Sequence, residues 1–166
     1  MRSRRSGTTG RERRSSRAWL ITLPAQAACV WAVAFAAVHL YWVRGGTVGL
    51  PPGMSVFRNT LLLAIDIAAI PLCLVAALLA LALARVRVRR LPRRLLRIAA
   101  WGACAVLLVH SLPTIVGDVM LLLGLRTAAL TPVDRFSMYL YEPWFMVGGL
   151  LFGGAAWCDQ HRSGFR

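Results

Sequence analysis

Five ionisable side chains, His39, Asp66, His110, Asp118 and Glu142, lie in stretches otherwise built from Ala, Leu, Val and Ile. An acid in such surroundings must be paired, protonated or close to water, because a charge in hydrocarbon costs about 3 kcal/mol or more. An imidazole near a desolvated carboxyl can exchange a proton around neutral pH, so this residue set is a candidate for acid–base chemistry. Asp118 or Glu142 would be the acid, and His39 or His110 the base. Ser111 and Thr114 precede Asp118 by seven and four residues, so the three share one helical stripe, with His110 beside it. That stripe should face protein or water. His39 is flanked at helical spacing by Phe35 and Trp42, an aromatic wall beside an imidazole.

Composition explains how such residues come to be surrounded by apolar ones. Hydrophobic residues make up 58% of the 166, and the mean hydropathy of +0.61 is too high for a soluble domain of this size. Four apolar segments, at about 19–43, 60–84, 98–124 and 138–158, are each long enough to cross a hydrocarbon core of about 30 Å. The expected fold is therefore all-α, a bundle of four transmembrane helices.

The net charge of +14 comes from arginine alone, with no lysine in the chain. Seven arginines precede Trp19, seven lie between Arg85 and Arg97, and two follow Cys158, leaving Arg44, Arg58, Arg126 and Arg135 in the alternate loops. Sixteen against four places both termini in the cytoplasm of a plasma-membrane protein. The clusters suit anionic headgroups better than nucleic acid, because they are spread over loops and do not line one folded face. Trp19, Trp42, Trp101, Trp144 and Trp157 fall near segment ends, where an indole sits among headgroups, and Trp31 falls mid-span.

Counted from the nearest external arginine, His39 is five residues in, Asp66 eight, Asp118 eight and Glu142 seven. As helix this is about 7 to 12 Å, so all four segments should carry a polar group at similar depth, with His110 deeper. Pro71 and Pro113 each remove a backbone donor near an acid and are expected to kink their helices. Pro143 follows Glu142 and suits a first helical position, yet the helix beginning there is short for a span. Met138 to Tyr141 are therefore expected to continue it as a kinked turn.

Residues 1–17 lack apolar periodicity and read as a disordered cytoplasmic tail, and 159–166 as a second short one. Arg13-Arg14 and Ala25-Gln26-Ala27 suggest an export signal, but the apolar run continues too far beyond Ala27, so the first helix is expected to stay uncleaved. Cys29, Cys73, Cys104 and Cys158 fall one to a segment without metal or redox spacing and read as small packing residues. No metal site and no cofactor are expected: the Glu-x-x-His pairs of a diiron bundle are absent, and His39 and His110 differ too much in depth to hold one haem. Gly149 and Gly153 form a GxxxG pair, and Ala64, Ala68, Ala76, Ala80 and Ala84 a small-residue seam. Both permit close helix approach within the chain or in a homo-oligomer.

The passages "FAAVHLYWVRGGTVGLP" and "RFSMYLYEPWFMVGGLLFGGAAW" resemble the signature passages of a family of small four-helix membrane proteins common in actinobacteria and known only as a domain of unknown function. The all-arginine, alanine-rich composition fits a GC-rich genome of that kind. The resemblance implies fold and topology but no activity, and it points to His39, Trp42, Glu142 and Trp144 as positions to test.

One reading is that each acid meets a nearby external arginine or polar neighbour and merely fixes helix register; beyond it, three functions remain open. A noncatalytic component could bind a lipophilic ligand or membrane partner through a polar cluster open to the outside, with Trp42, Trp144, Ser111 and Thr114 as further contacts. A membrane-embedded isomerase or cyclase could use the same groups as acid and base. A proton-coupled transporter is weakened because no acid sits at mid-span and no inverted repeat is visible.

Overall fold

The computed structural model describes residues 8–85, 92–125 and 131–163, whose regular elements are helices, with no strand among them. The elements are α1 (Thr8–Val43), a 3₁₀ turn (Val56–Arg58), α2 (Thr60–Ala84), α3 (Arg93–Leu122), a short α4 (Pro132–Phe136), a π-helical turn (Ser137–Tyr141) and α5 (Glu142–Ser163). The stretches Thr22–Val43, Thr60–Ala84 and Arg93–Leu122 are long and apolar enough to cross a membrane. α5 is not among these three. Its Gly148, Gly149, Gly153, Gly154 and polar Asp159-Gln160-His161 lower its hydropathy.

α2 has the bounds expected of it. The Asn59 side chain accepts from the N–H groups of Leu61 and Leu62 at 3.0 and 3.1 Å, supplying the partners that a helix start lacks. The helix then runs unbroken past Pro71 to Ala84. α1 departs from expectation. It begins at Thr8, so residues 8–17, expected as disordered tail, are helical, while residues 1–7 of that tail lie outside the described residues. The segment "RERRSSRA" contains good helix formers and no proline, so nothing in its local chemistry stops the helix. α3 begins five residues before its expected start, because Pro92 ends the preceding loop and Leu96 already packs in the core at 6% exposure. The tail at 159–166 is likewise helical as far as Ser163.

The helices are arranged in the order α2, α1, α5, α3. α1 packs against α2 and α5, α5 packs against α3, and α2 and α3 touch only sparsely across the open side. Small residues set the close approaches. A Cβ on Gly149 would lie 2.8 Å from Leu108 and 3.3 Å from the Cys104 carbonyl oxygen, and one on Gly153 2.9 Å from the Cys104 sulfur. The GxxxG pair is thus spent within the chain, against α3. On α2 the buried stripe is Asp66, Cys73, Ala77, Ala80 and Leu83, so of the expected alanine seam only Ala80 is fully enclosed and Ala64 and Ala68 face outward.

Trp31 joins α1 to α5. Its indole N–H donates to the Trp144 carbonyl at 3.0 Å, its ring stacks on Trp144 at 5.8 Å, and Phe152 meets its edge at 6.3 Å. A Cβ at position 148 would fall 2.4 Å from that indole, so the ring lies where only glycine leaves room. At the opposite end of the bundle from His39, the Arg93 guanidinium donates to Asp159 at 2.7 Å, to the Leu83 carbonyl at 3.4 Å and to the Arg85 carbonyl. One side chain thus ties α3 to α5 and to the end of α2.

Candidate functional site

The linking segment from Gly45 to Asn59 folds over the ends of α1 and α5. Trp42 donates to the Val48 carbonyl at 2.9 Å, and Tyr141 donates to the Gly49 carbonyl at 2.6 Å. Gly49 has φ +83°, a left-handed conformation that favours glycine, and Gly46 leaves room for the Tyr41 ring, which a Cβ would meet at 2.2 Å. Trp42 is 8% exposed, and the Trp144 indole nitrogen is buried without a hydrogen-bond partner. Trp42 thus anchors the linking segment, and Trp144 packs against Trp31 and Phe35. Trp101 and Trp157 are outward-facing.

Beneath this segment His39 and Asp66 meet. Nδ1 of His39 bonds Oδ1 of Asp66, with both residues buried, across the α1–α2 interface. The imidazole is enclosed by Phe35 at 4.5 Å and Trp42 at 5.4 Å between ring centres. Such a carboxylate partner fixes the ring's orientation and leaves Nε2 as its free nitrogen.

Glu142 is also buried, but in a separate contact. The chain enters α5 through the π-helical turn, whose hydrogen bond runs from the Glu142 N–H to the Ser137 carbonyl. The Ser137 hydroxyl also donates to Glu142 Oε1 at 3.1 Å. Oε2 is enclosed without a partner among the described residues. Glu142 is therefore an interior position of a helical run from Pro132 to Ser163, and does not mark a free helix start. The expected irregular turn is present, as one widened helical turn of a kind common near functional sites.

The remaining candidates do not gather with these. Ser111 is fully buried and donates back to the Leu107 and Leu108 carbonyls at 3.2 and 3.1 Å, leaving its hydroxyl engaged within α3. Thr114 and Asp118 are half-buried, and Asp118 has no ion-pair or hydrogen-bond partner among the described residues. His110, one residue before Ser111, is exposed and lies away from the His39–Asp66 and Glu142 contacts. The five ionisable groups thus resolve into a His39–Asp66 pair, a Glu142–Ser137 pair and two separate residues.

Between α2 and α3 the sparse contact leaves a groove of about 500 Å³. Trp31, Phe35, Phe145 and Phe152 form its floor, from α1 and α5, and its rims are outward-facing residues such as Leu72, Val75 and Val106. His39 and His110 both line it. Phe35 meets Phe145 edge-on at 5.4 Å, and His110 meets Phe145 at 4.5 Å. Four rings therefore run across the groove with an imidazole at each end. The groove is apolar and open at the side, because Asp66 and Glu142 are turned into helix contacts and the groove walls are aliphatic. The described residues include no group of three metal-ligating side chains.

Three features were not found by reading the chain. Asp159 and Arg93 form the pair at the other end, whose only signal was a lone acid at the end of the last segment opposite a basic loop. Ser137 and Phe145 were missed because neither type is unusual where it stands.

The chain belongs to the family described as protein of unknown function (DUF3995), whose model matches residues 32–152. The matched region contains His39, Asp66, His110, Glu142 and every groove-lining residue except Trp31. No curated protein and no solved structure matches the chain.

Proposed function

We propose that this protein is a multi-pass plasma-membrane component that binds a lipophilic molecule in the groove between α2 and α3, both termini being cytoplasmic. The observation that carries the reading is the groove's lining: apolar walls and an aromatic floor, with the imidazoles of His39 and His110 among its few polar groups. Ligand sites are of this kind, concave and mostly apolar with a few placed polar groups, and about this size. Its opening faces sideways, so a lipid-soluble molecule would enter from the bilayer. α5 would be the fourth span, its glycine-rich face covered by α1 and α3. The sixteen arginines at one end would rest on anionic headgroups.

Gly102 provides the test. It lines the groove, and a Cβ there would meet nothing within 4 Å, so a side chain can be added without moving the backbone. Wild type and Gly102→Phe would be purified in mild detergent and compared by native mass spectrometry. A small molecule retained by the wild type and lost from the variant supports the proposal. Equal retention, or a clean apo mass in both, counts against it.

The His39–Asp66 pair favours one second reading, a membrane-embedded acid–base enzyme acting on the same ligand. Asp66 would hold the ring and His39 Nε2 would move the proton. Asp118 and Glu142 are less suited to that role than expected, since neither lines the groove. A product still formed at the wild-type rate by Asp66→Asn membranes would rule it out.

A further inference from the structure

We infer that the molecule recognised at the histidine end of the groove carries a neutral oxygenated ring, of the quinone or quinol type, held between His39 and His110. This deepens the proposed function and rests on the groove being a ligand site.

The charge of the lining decides against other head groups. No Arg, Asp or Glu is among its residues. A phosphate or carboxylate head would find no cation, and an ammonium head no carboxylate, so either would be buried unpaired at high cost. Asp66 lies directly behind His39 and would further disfavour an anion. The Trp31 indole is already engaged by the Trp144 carbonyl, and the buried Cys73 offers only a weakly donating thiol. The imidazoles therefore remain as the points of recognition, and they suit a neutral donor or acceptor.

Their chemistry suits oxygen in two states. With Nδ1 of His39 committed to Asp66, Nε2 of the neutral ring accepts a hydrogen bond, and Nε2–H of the imidazolium donates one. A ring hydroxyl answers the first and a ring carbonyl the second, the two forms in which a quinol and a quinone present oxygen. His110 has no hydrogen-bond partner among the described residues and is held by its contact with Phe145. Both of its nitrogens are available.

The aromatic floor favours a flat ring. His39, Phe35, Phe145 and His110 form a continuous series of ring contacts, from α1 through α5 to α3. A planar guest can pack edge-on or offset against the two phenyl rings. The imidazoles stand at the two ends of this series, His39 on α1 and His110 on α3, which suits oxygens at opposite edges of one ring. The rest of the groove is apolar, with Ala76 and Leu79 of α2 and Ala99 of α3 beside Trp31 and Phe152, and suits a prenyl or alkyl tail.

The test uses the full chain in phosphatidylcholine nanodiscs, titrated with decylubiquinone or with decylbenzene, which has a similar tail and a ring without oxygens. Tryptophan quenching reports the quinone, and displacement of the quinone reports decylbenzene. Wild type should bind decylubiquinone at least tenfold more tightly than decylbenzene. His39→Leu and His110→Leu should each weaken the quinone about tenfold, as expected for one hydrogen bond in a dry site. His110 faces outward, so its substitution tests recognition without disturbing the core. Equal affinity for the two probes, or quinone binding unchanged in His110→Leu and His39→Leu, overturns the ring assignment. If Gly102→Phe still abolishes binding in that case, the groove reading stands. If Gly102→Phe changes neither probe, the groove reading fails as well.

Discussion

Removing either member of the buried His39–Asp66 pair should cost more than removing both. The two side chains are 10% and 8% exposed and lie on different helices. A neutral hydrogen bond between membrane helices contributes about 0.6 kcal/mol on average. A charge-assisted one is about twice as strong, and an abandoned buried partner adds about 1–3 kcal/mol of unsatisfied polar cost. Asp66→Leu and His39→Leu should therefore each destabilise the protein by about 2–3 kcal/mol. The double substitution should cost no more than either single one, giving a coupling of at least about 2–3 kcal/mol, because two apolar side chains strand nothing. Asp66→Asn keeps an acceptor and should lose about 1 kcal/mol. Unfolding by sodium dodecyl sulfate in mixed micelles, followed by circular dichroism, supplies the four free energies of the cycle. Single costs below about 0.5 kcal/mol that simply add would show that the pair is not coupled, and would remove the reason given for the orientation of His39.

Other contacts make further predictions. Gly149→Leu and Gly153→Leu should each destabilise the monomer by about 1–3 kcal/mol, since their Cβ atoms fall 2.8 and 2.9 Å from Leu108 and Cys104 of the same chain. Unchanged unfolding in both would mean that α3 does not pack there. Arg93→Lys should be nearly as harmful as Arg93→Ala, because an ammonium cannot serve Asp159 and the ends of α2 together as the guanidinium fork does. Unfolding midpoints check this, and full rescue by lysine would contradict it. Tyr141→Phe loses the bond to the Gly49 carbonyl, worth about 1 kcal/mol. The segment from Gly45 to Asn59 should then exchange amide hydrogens faster while α2 and α5 stay protected. No change in that exchange would show the bond to be dispensable.

The parts of this fold that were legible in the chain are those that depend on local chemistry. α2 is a continuous apolar run between Asn59 and Arg85, and its ends follow from a capping side chain and the return of charge. The aromatic company of His39 was likewise visible, because Phe35 and Trp42 stand at helical spacing on the same element. α1 and α3 overran their expected starts because hydropathy marks where a segment stops being apolar, and a helix of Arg, Glu, Ser and Ala need not stop there. Counting from Arg44 and Arg58 put His39 and Asp66 at similar depth, which is consistent with their pairing. It could not show that α1 and α2 are neighbours, nor which faces they share. The same gap explains His110 and Ser111, where a step of one residue turns one side chain to the groove and the other into the helix contact. Helix order around a bundle is a tertiary property, and the glycines of α5 that settle it read in sequence only as permission for close approach.

The groove's occupancy from the side is tested most directly by a lipophilic diazirine probe, photolysed with the protein in membranes and mapped by peptide mass spectrometry. The account predicts adducts concentrated on the groove-facing peptides around Leu72 to Leu79 of α2 and Gly102 to His110 of α3, and their loss in Gly102→Phe. Adducts spread evenly over outward residues away from the groove, such as Leu61, Leu122 and Leu150, and unchanged by Gly102→Phe, would contradict it.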